Sequence, residues 1–238
     1  MLLDLRGVQQ RSWLRISWHP VRASISTCSG PSDVARAAIF SFGTQLHTHL
    51  RGLVLSAARL PEPWERVARL DFAHRLDGDV VRSMHIEIMG RTSNVVVTNE
   101  EGRILLCAYQ VLGQKCDACV TSIAQVGSKM SSVRQVQTGS VYQLPPPGLG
   151  LSPSPSLSLD EWRSTLTSVA ANDPTRCAWT QCCVRAFRGV SPTLAAQLAA
   201  VAGCGGGAVH GIRDDEWQRL YAAWQAWLTA VEHGTWVV

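Results

Sequence analysis

Lysine is nearly missing from this 238-residue chain: only Lys115 and Lys129 occur, so 20 of its 22 basic residues are arginine. Charged residues are sparse at 17%, and aromatic ones make up only 7%. No apolar run approaches the roughly 18 uncharged residues a membrane-crossing helix needs. The longest candidates, such as Val190–Gly203, are interrupted by Ser, Pro, Thr and Gln. A hydrophobic content of 46% excludes wholesale disorder, and the length fits one large domain or two small ones. No Ser–His–Asp order and no paired-carboxylate arrangement stands out. Gly203-Cys204-Gly205-Gly206-Gly207 is glycine-rich, but it follows a helical pattern and lacks the Lys-Ser or Lys-Thr of a phosphate loop; it reads as a flexible connector.

The net charge of +4 is unevenly spread. Residues 1–60 hold seven Arg against Asp4 and Asp33, whereas the rest of the chain is close to neutral. Attraction to nucleic acid therefore favours the N-terminal third, where arginine's planar fork suits phosphate. Codon bias also accounts for an arginine excess. Eight cysteines, at 28, 107, 116, 119, 177, 182, 183 and 204, show no framework spacing, which points to free thiols in a reducing compartment. The first 30 residues, with four Arg, five Ser and Asp4 as the one acid, have the composition of an organelle transit peptide. Trp18-His19-Pro20 and its apolar flanks look instead like part of a folded domain, and targeting stays open.

Composition shifts at Leu144–Ser158, LPPPGLGLSPSPSLS, which reads as a linker because proline fixes its dihedral and lacks an amide donor. The expected domains are residues 1–144, rich in strands, and 159–238, helical, joined by 145–158. The first half predicts a helix over Phe40–Leu50 and strands at Leu53–Leu60, Arg66–His74, Met84–Met89, Val95–Thr98, Ile104–Val111, Ser132–Gln137 and Val141–Leu144. Asn99–Gly102 supplies a hairpin turn. The second half predicts helices from Ser158, from Asp173-Pro174 to about Phe187, over Thr193–Ala202, and over Asp214–Glu232. The fold class is α+β, an antiparallel β-rich domain followed by a helical one.

Few constellations carry chemistry. Cys116-x-x-Cys119 has the spacing of half a zinc site or a thiol redox pair, but nothing completes it, so neither metal nor cofactor is expected. His47 and His49 point to different faces of a helix. Asp214, Asp215 and Glu216 suit the positive end of the last helix dipole. The tryptophans of that helix recur at helical spacing and read as core. Two pieces are more suggestive. In His85–Asn94 a strand runs into a tight polar turn, where Gly90 permits close backbone approach and Arg91, Ser93 and Asn94 offer donors to phosphate or base. In Phe187–Ala195 a helix, a glycine turn and a capped helix form a hairpin beside Arg188.

These pieces resemble one family in their order. Phe40–Leu46, Pro63–Val67, Leu70-Asp71-Phe72, His85–Asn94, Asn99–Leu105, Ser131–Val136, Gly139 and Tyr142–Pro146 look like its N-terminal domain, and Arg188–Pro192 opens what looks like its helix–hairpin–helix region. The family is NFACT, which includes fibronectin-binding protein A-like and NEMF-like factors, and the likeness is to cyanobacterial and plastid members. The resemblance implies an N-terminal domain related in fold to formamidopyrimidine-DNA glycosylases without their chemistry; Met1-Leu2-Leu3-Asp4 lacks the proline nucleophile and glutamate of those enzymes. It implies a non-catalytic, ribosome-associated quality-control factor whose partners are tRNA and a large ribosomal subunit obstructed by peptidyl-tRNA, acting in template-free C-terminal tailing, with no membrane and no small-molecule cofactor. Its place would be the cytoplasm or the plastid stroma. RNA contacts are expected at Arg91, Ser93 and Asn94, with Arg188 as a phosphate contact. The chain is expected to begin inside the usual first domain and to end before the family's coiled coil, and Gly113–Lys129 looks like an insertion. The rival readings are a glycosylase-fold nucleic-acid-binding protein without catalysis and a fibronectin-binding adhesin.

Overall fold

The computed structural model describes residues 1–7, 11–30, 41–112, 128–130 and 134–235. It divides into two compact units, residues 1–146 and 147–238. The architecture is α+β, with antiparallel sheets in the first unit and most helices in the second. Among the described residues no helix is long and apolar enough to cross a membrane.

The first unit opens with a three-stranded antiparallel sheet of β1 (Leu2–Arg6), β2 (Arg11–Ser17) and β3 (Ser24–Cys28). The stretch whose composition suits a transit peptide is thus folded, and its Ile16 is fully buried. Helix α1 (Ser41–Leu50) follows, then a five-stranded meander in sequence order: β4 (Val54–Arg59), β5 (Val67–Ala73), β6 (Val80–Glu87), β7 (Asn94–Asn99) and β8 (Ile104–Cys107). Period-two alternation gives the meander two different faces. Leu70, Phe72, Met84, Ile86, Val95, Val97 and Leu106 pack with Ile16 and with Phe42 and Leu46 of α1 to form the core. The opposite face carries Arg69 across from His85, Asp71 across from Ser83, and Glu87 across from Asn94.

The β7–β8 turn forms as expected: Gly102 has φ +75, and Asn99 Oδ1 accepts from the amides of Glu101 and Arg103 at 3.1 and 2.8 Å. Three expectations fail here. The strand expected over Ile104–Val111 stops at Cys107, and Gln110–Leu112 is a separate strand. Strand β6 begins at Val80, upstream of Met84, because Val80 to Arg82 continue the ladder with β5. The expected strands Ser132–Gln137 and Val141–Leu144 do not form over their described residues. Gly139, at φ +89, turns the chain beside the β7–β8 hairpin instead, with Ile104 N–H donating to Ser140 O and Tyr142 N–H to Gly102 O, both at 2.8 Å. A short parallel pair joins β9 (Gln110–Leu112), just before the expected insertion, to β10 (Ser128–Met130), which includes its last two residues. Cys116 and Cys119 lie outside the described residues, among which no cluster could hold a metal ion.

In the second unit, α2 (Leu159–Asn172) starts with a capping box: Ser158 Oγ accepts from Glu161 N–H, and the Glu161 carboxylate accepts from Ser158 N–H at 2.9 Å. Helices α3 (Trp179–Ala186), α4 (Pro192–Val201) and α5 (Asp214–His233) complete it. Trp162 sits at the centre, with the rings of Trp179, Trp217, Tyr221 and Trp224 between 5.6 and 5.8 Å from its own, so the tryptophan stripe is core. The single helix expected from Asp173 to Phe187 is broken. After a 3-10 turn at Pro174–Arg176, Cys177 O accepts from Val209 N–H and Trp179 N–H donates to Gly207 O, so the glycine-rich stretch pairs with the chain there rather than merely connecting.

The Pro/Ser-rich segment expected as a linker is strapped along this unit from Pro147 onward. Leu151 N–H donates to Ala186 O at 2.8 Å, Arg188 N–H returns a bond to Leu151 O at 2.9 Å, and the Tyr221 hydroxyl donates to Leu157 O. Proline's missing donors matter little here, because the segment uses mainly its carbonyls. Gly150 has φ +105, and a Cβ there would stand 2.6 Å from Ala186 O, so no other residue fits.

Candidate nucleic-acid interface

Strand β6 ends at Glu87, and the chain reverses through a 3-10 turn at Gly90–Thr92 before β7. Gly90 takes φ +56, Ser93 Oγ accepts from Met89 N–H at 2.9 Å, and Thr92 Oγ1 donates to Met89 O at 3.0 Å. Arg91 is exposed at the apex of this turn. Ser93 and Asn94 are not: they are 1% and 2% exposed. Asn94 uses its amide as a clip, with Nδ2 donating to Tyr109 O at 2.8 Å and Oδ1 accepting from Tyr109 N–H at 2.9 Å. The expectation of RNA contacts at Ser93 and Asn94 is corrected accordingly, since their polar atoms are spent on backbone that fixes the turn.

Arginines missed by the sequence reading stand at the same end of the sheet. Ile88 N–H donates to Arg66 O at 2.8 Å, so the β4–β5 loop flanks the Arg91 turn and Arg66 lies exposed beside it. The β2–β3 turn arrives from the other sheet. Its Pro20 carbonyl lies 3.7 Å from where a Cβ on Gly90 would be, and Arg22 is exposed on it. Trp18 holds the base of that hairpin through an edge contact with Phe42, ring centroids 5.3 Å apart. Glu62 and Glu65 share the β4–β5 loop with Trp64, whose φ of +62 is strained for a residue other than glycine. Neither of the other two turns carries an acid.

In the second unit Arg188 is half-buried, and its Nε donates to Gly150 O at 3.1 Å, so at least this edge of the guanidinium secures the strap. The hairpin it opens is well formed, with Gly189 at φ +71 and Ser191 Oγ accepting from Leu194 N–H at 3.1 Å.

The polar face of the meander holds a network with no local sequence signal beyond Ser83, His85 and Glu87 at alternate positions of β6. Glu87, 1% exposed, accepts two bonds from Arg134 at 2.6 and 3.1 Å and one from the Tyr142 hydroxyl at 2.9 Å. The His85 ring stacks on Tyr142 at 3.8 Å, and its Nδ1 is buried without a hydrogen bond. Burial, seconded by Arg69, lowers the His85 pKa to about 4, so the imidazole is neutral at physiological pH. Burial likewise raises the Cys107 thiol to about 11, with Glu87 adding to the effect, so this thiol is inert. Asp71 would also be raised by burial, but bonds from Ser83 and Arg69, both at 2.7 Å, and the nearby Arg59 hold its carboxyl below the usual range. Each charge in the network is matched by a partner, so the arrangement locks residues 134–142 across the sheet.

The chain matches the sequence model of the NFACT N-terminal and middle domains over residues 1–237. No curated protein matches it. Among solved structures, the fibrinogen-binding protein from Staphylococcus aureus superposes with a TM-score of 0.61 at 18% identity, covering 97% of this chain and 70% of that one. The N-terminal part of the fibronectin/fibrinogen-binding protein from Streptococcus suis gives 0.57 at 19% identity, covering 94% and 72%. The N-terminal domain of fibronectin-binding protein PavA from Streptococcus pneumoniae gives 0.55 at 20%, covering 84% and 66%. At such identities these likenesses speak for the fold. Together with the match along nearly its whole length, they make the chain a member of the NFACT family.

Proposed function

We propose that this chain is the RNA-binding part of a ribosome-associated quality-control factor. It would engage tRNA and a large ribosomal subunit obstructed by peptidyl-tRNA, in support of template-free C-terminal tailing, in the cytoplasm or plastid stroma. NFACT membership supports a nucleic-acid- or ribosome-associated role. The observation that carries the finer reading is the convergence of Arg22, Arg66 and Arg91 on three turns at one end of the first unit. Guanidinium groups on turns reach phosphates bidentately, and such contacts position a protein on RNA before any base is read. The role assigned is binding and placement, without catalysis.

Fluorescence anisotropy with mixed tRNA across a salt titration tests this. Phosphate contact gives a steep linear fall of log affinity with log salt. No binding even at low salt would overturn the reading. A second reading comes from the three structural neighbours, which are named for fibrinogen or fibronectin binding. Retention of the purified protein on immobilised fibronectin, with no affinity for tRNA, would favour it.

A further inference from the structure

We infer that Cys177 and Cys182 form a reversible dithiol–disulfide pair in the second unit, in which Cys177 takes up a low-molecular-weight disulfide such as oxidised glutathione and Cys182 resolves it. Cys177 follows the 3-10 turn at Pro174–Arg176 and is half-buried, next to the exposed Thr175 and Arg176. Helix α3 opens at Trp179 with Ala178 as its N-cap. Cys177 thus stands just before the cap and Cys182 at the fourth helical position, the two places whose side chains pack on each other at a helix start. The backbone holds them there, with Cys182 N–H donating to Ala178 O at 2.9 Å. The Cys182 sulfur lies 3.6 Å from Arg176 O, the carbonyl of the peptide bond into Cys177. In a trans peptide that oxygen sits beside the next Cα, so the sulfur is within roughly 6 Å of the Cys177 Cα, close enough for rotation of the Cys177 side chain to bring the thiols together.

Packing gives the two thiols different tasks. Cys182 is fully buried, so no dissolved oxidant reaches it, and burial raises its pKa although Arg185 opposes. Cys177 is the reachable one, and the exposed Arg176 beside it suits the carboxylates of glutathione. Cys183 is buried as well, but successive residues on a helix point about 100° apart, so it does not share the position of Cys182 over the turn. The exchange balances without a further oxidant. The Cys177 thiolate attacks one sulfur of oxidised glutathione, and one glutathione thiolate leaves. The Cys182 thiolate then attacks the Cys177 sulfur, and the second leaves. Two protein thiols become one disulfide, and their protons pass to the two glutathiones released. Because the Cys182 thiolate is scarce, this second step is the slow one. The new bond ties the 3-10 turn to α3 where Cys177 O and Trp179 N–H hold Val209 and Gly207.

The test incubates the full chain with oxidised glutathione, blocks remaining thiols with N-ethylmaleimide, and digests with trypsin without reduction. Cleavage after Arg176 and Arg185 yields one peptide, Cys177–Arg185, that holds all three thiols. In wild type this peptide should carry the Cys177–Cys182 disulfide with Cys183 alone alkylated, a readout that needs no variant, and dithiothreitol should restore the free thiols. Cys183→Ser should close the same bond. Cys182→Ser, checked by tryptophan fluorescence to be folded, should accumulate glutathione on Cys177 to about tenfold the wild-type level, because nothing displaces it. A wild-type peptide with Cys183 in the bond, or with no bond at all, would overturn the inference. So would equal glutathione on Cys177 in wild type and in folded Cys182→Ser.

Discussion

Arg134 and Glu87 lie 47 residues apart in the chain and meet through two hydrogen bonds, at 2.6 and 3.1 Å, on the covered polar face of the five-stranded sheet. Both side chains are nearly withdrawn from water, and Tyr142 supplies a third bond to the same carboxylate. Removing one partner strands a charge that water cannot reach. Arg134→Ala should therefore lower the stability of the first unit by about 3 kcal/mol or more, measured by urea unfolding. Replacing both residues by leucine should recover much of that loss, and a double variant as unstable as Arg134→Ala would contradict this account.

His85 makes stability depend on pH in a definite direction. Its folded pKa of about 4 lies below the ordinary 6.5, so the unfolded chain binds the proton more readily. The stabilisation is complete above about pH 6.5 and is lost as pH falls toward 4, amounting to about 3 kcal/mol across that window. His85→Phe should flatten the window in urea midpoints measured from pH 7 to pH 4. An unchanged profile in that variant would place the acid sensitivity elsewhere.

Arg91 and its turn neighbours should separate cleanly in their effects. Arg91→Ala should weaken tRNA binding and reduce the salt slope by roughly one. Asn94→Ala removes the clip to Tyr109 and should cost about 1–3 kcal/mol of stability. The discriminating measurement is tRNA affinity well below the Asn94→Ala unfolding midpoint, where wild-type binding is expected.

Gly150 and Gly102 both hold positive φ, but they differ in what surrounds them. Alanine at Gly102 meets open space and should cost about 1 kcal/mol from backbone conformation alone. Alanine at Gly150 meets Ala186 O at 2.6 Å and must also displace the strap, so its cost should be clearly larger. Thermal unfolding of the two variants gives the comparison, and equal shifts would mean that the strap adds nothing.

What the sequence discloses follows the range of the interactions involved. The Ser158 cap, the Asn99–Gly102 turn and the Trp217, Leu220, Trp224 stripe each depend on residues within a few positions, and each reads directly from the chain. The break before Trp179 does not, because Cys177 and Trp179 find partners in Val209 and Gly207, some thirty residues away. The Arg134–Glu87 pair is hidden for the same reason. Arg91 was legible as an exposed turn residue, but Arg22 and Arg66 join it only through pairing between separate hairpins. Ser93 and Asn94 show the opposite error: donor chemistry alone does not reveal that a side chain is already occupied by neighbouring backbone.

The strap from Pro147 to Ser158 changes how the molecule should be cut. Composition alone would place a cleavage or truncation point anywhere in that proline- and serine-rich run, and a helical fragment would naturally start at Ser158. Such a fragment would leave Ala186 O, the Arg188 amide and the Tyr221 hydroxyl without the partners they have in Leu151 and Leu157. A fragment starting at Pro147 keeps all three, so limited proteolysis should release a stable piece beginning near that residue, and the conspicuous Ser-Pro repeats should outlast it.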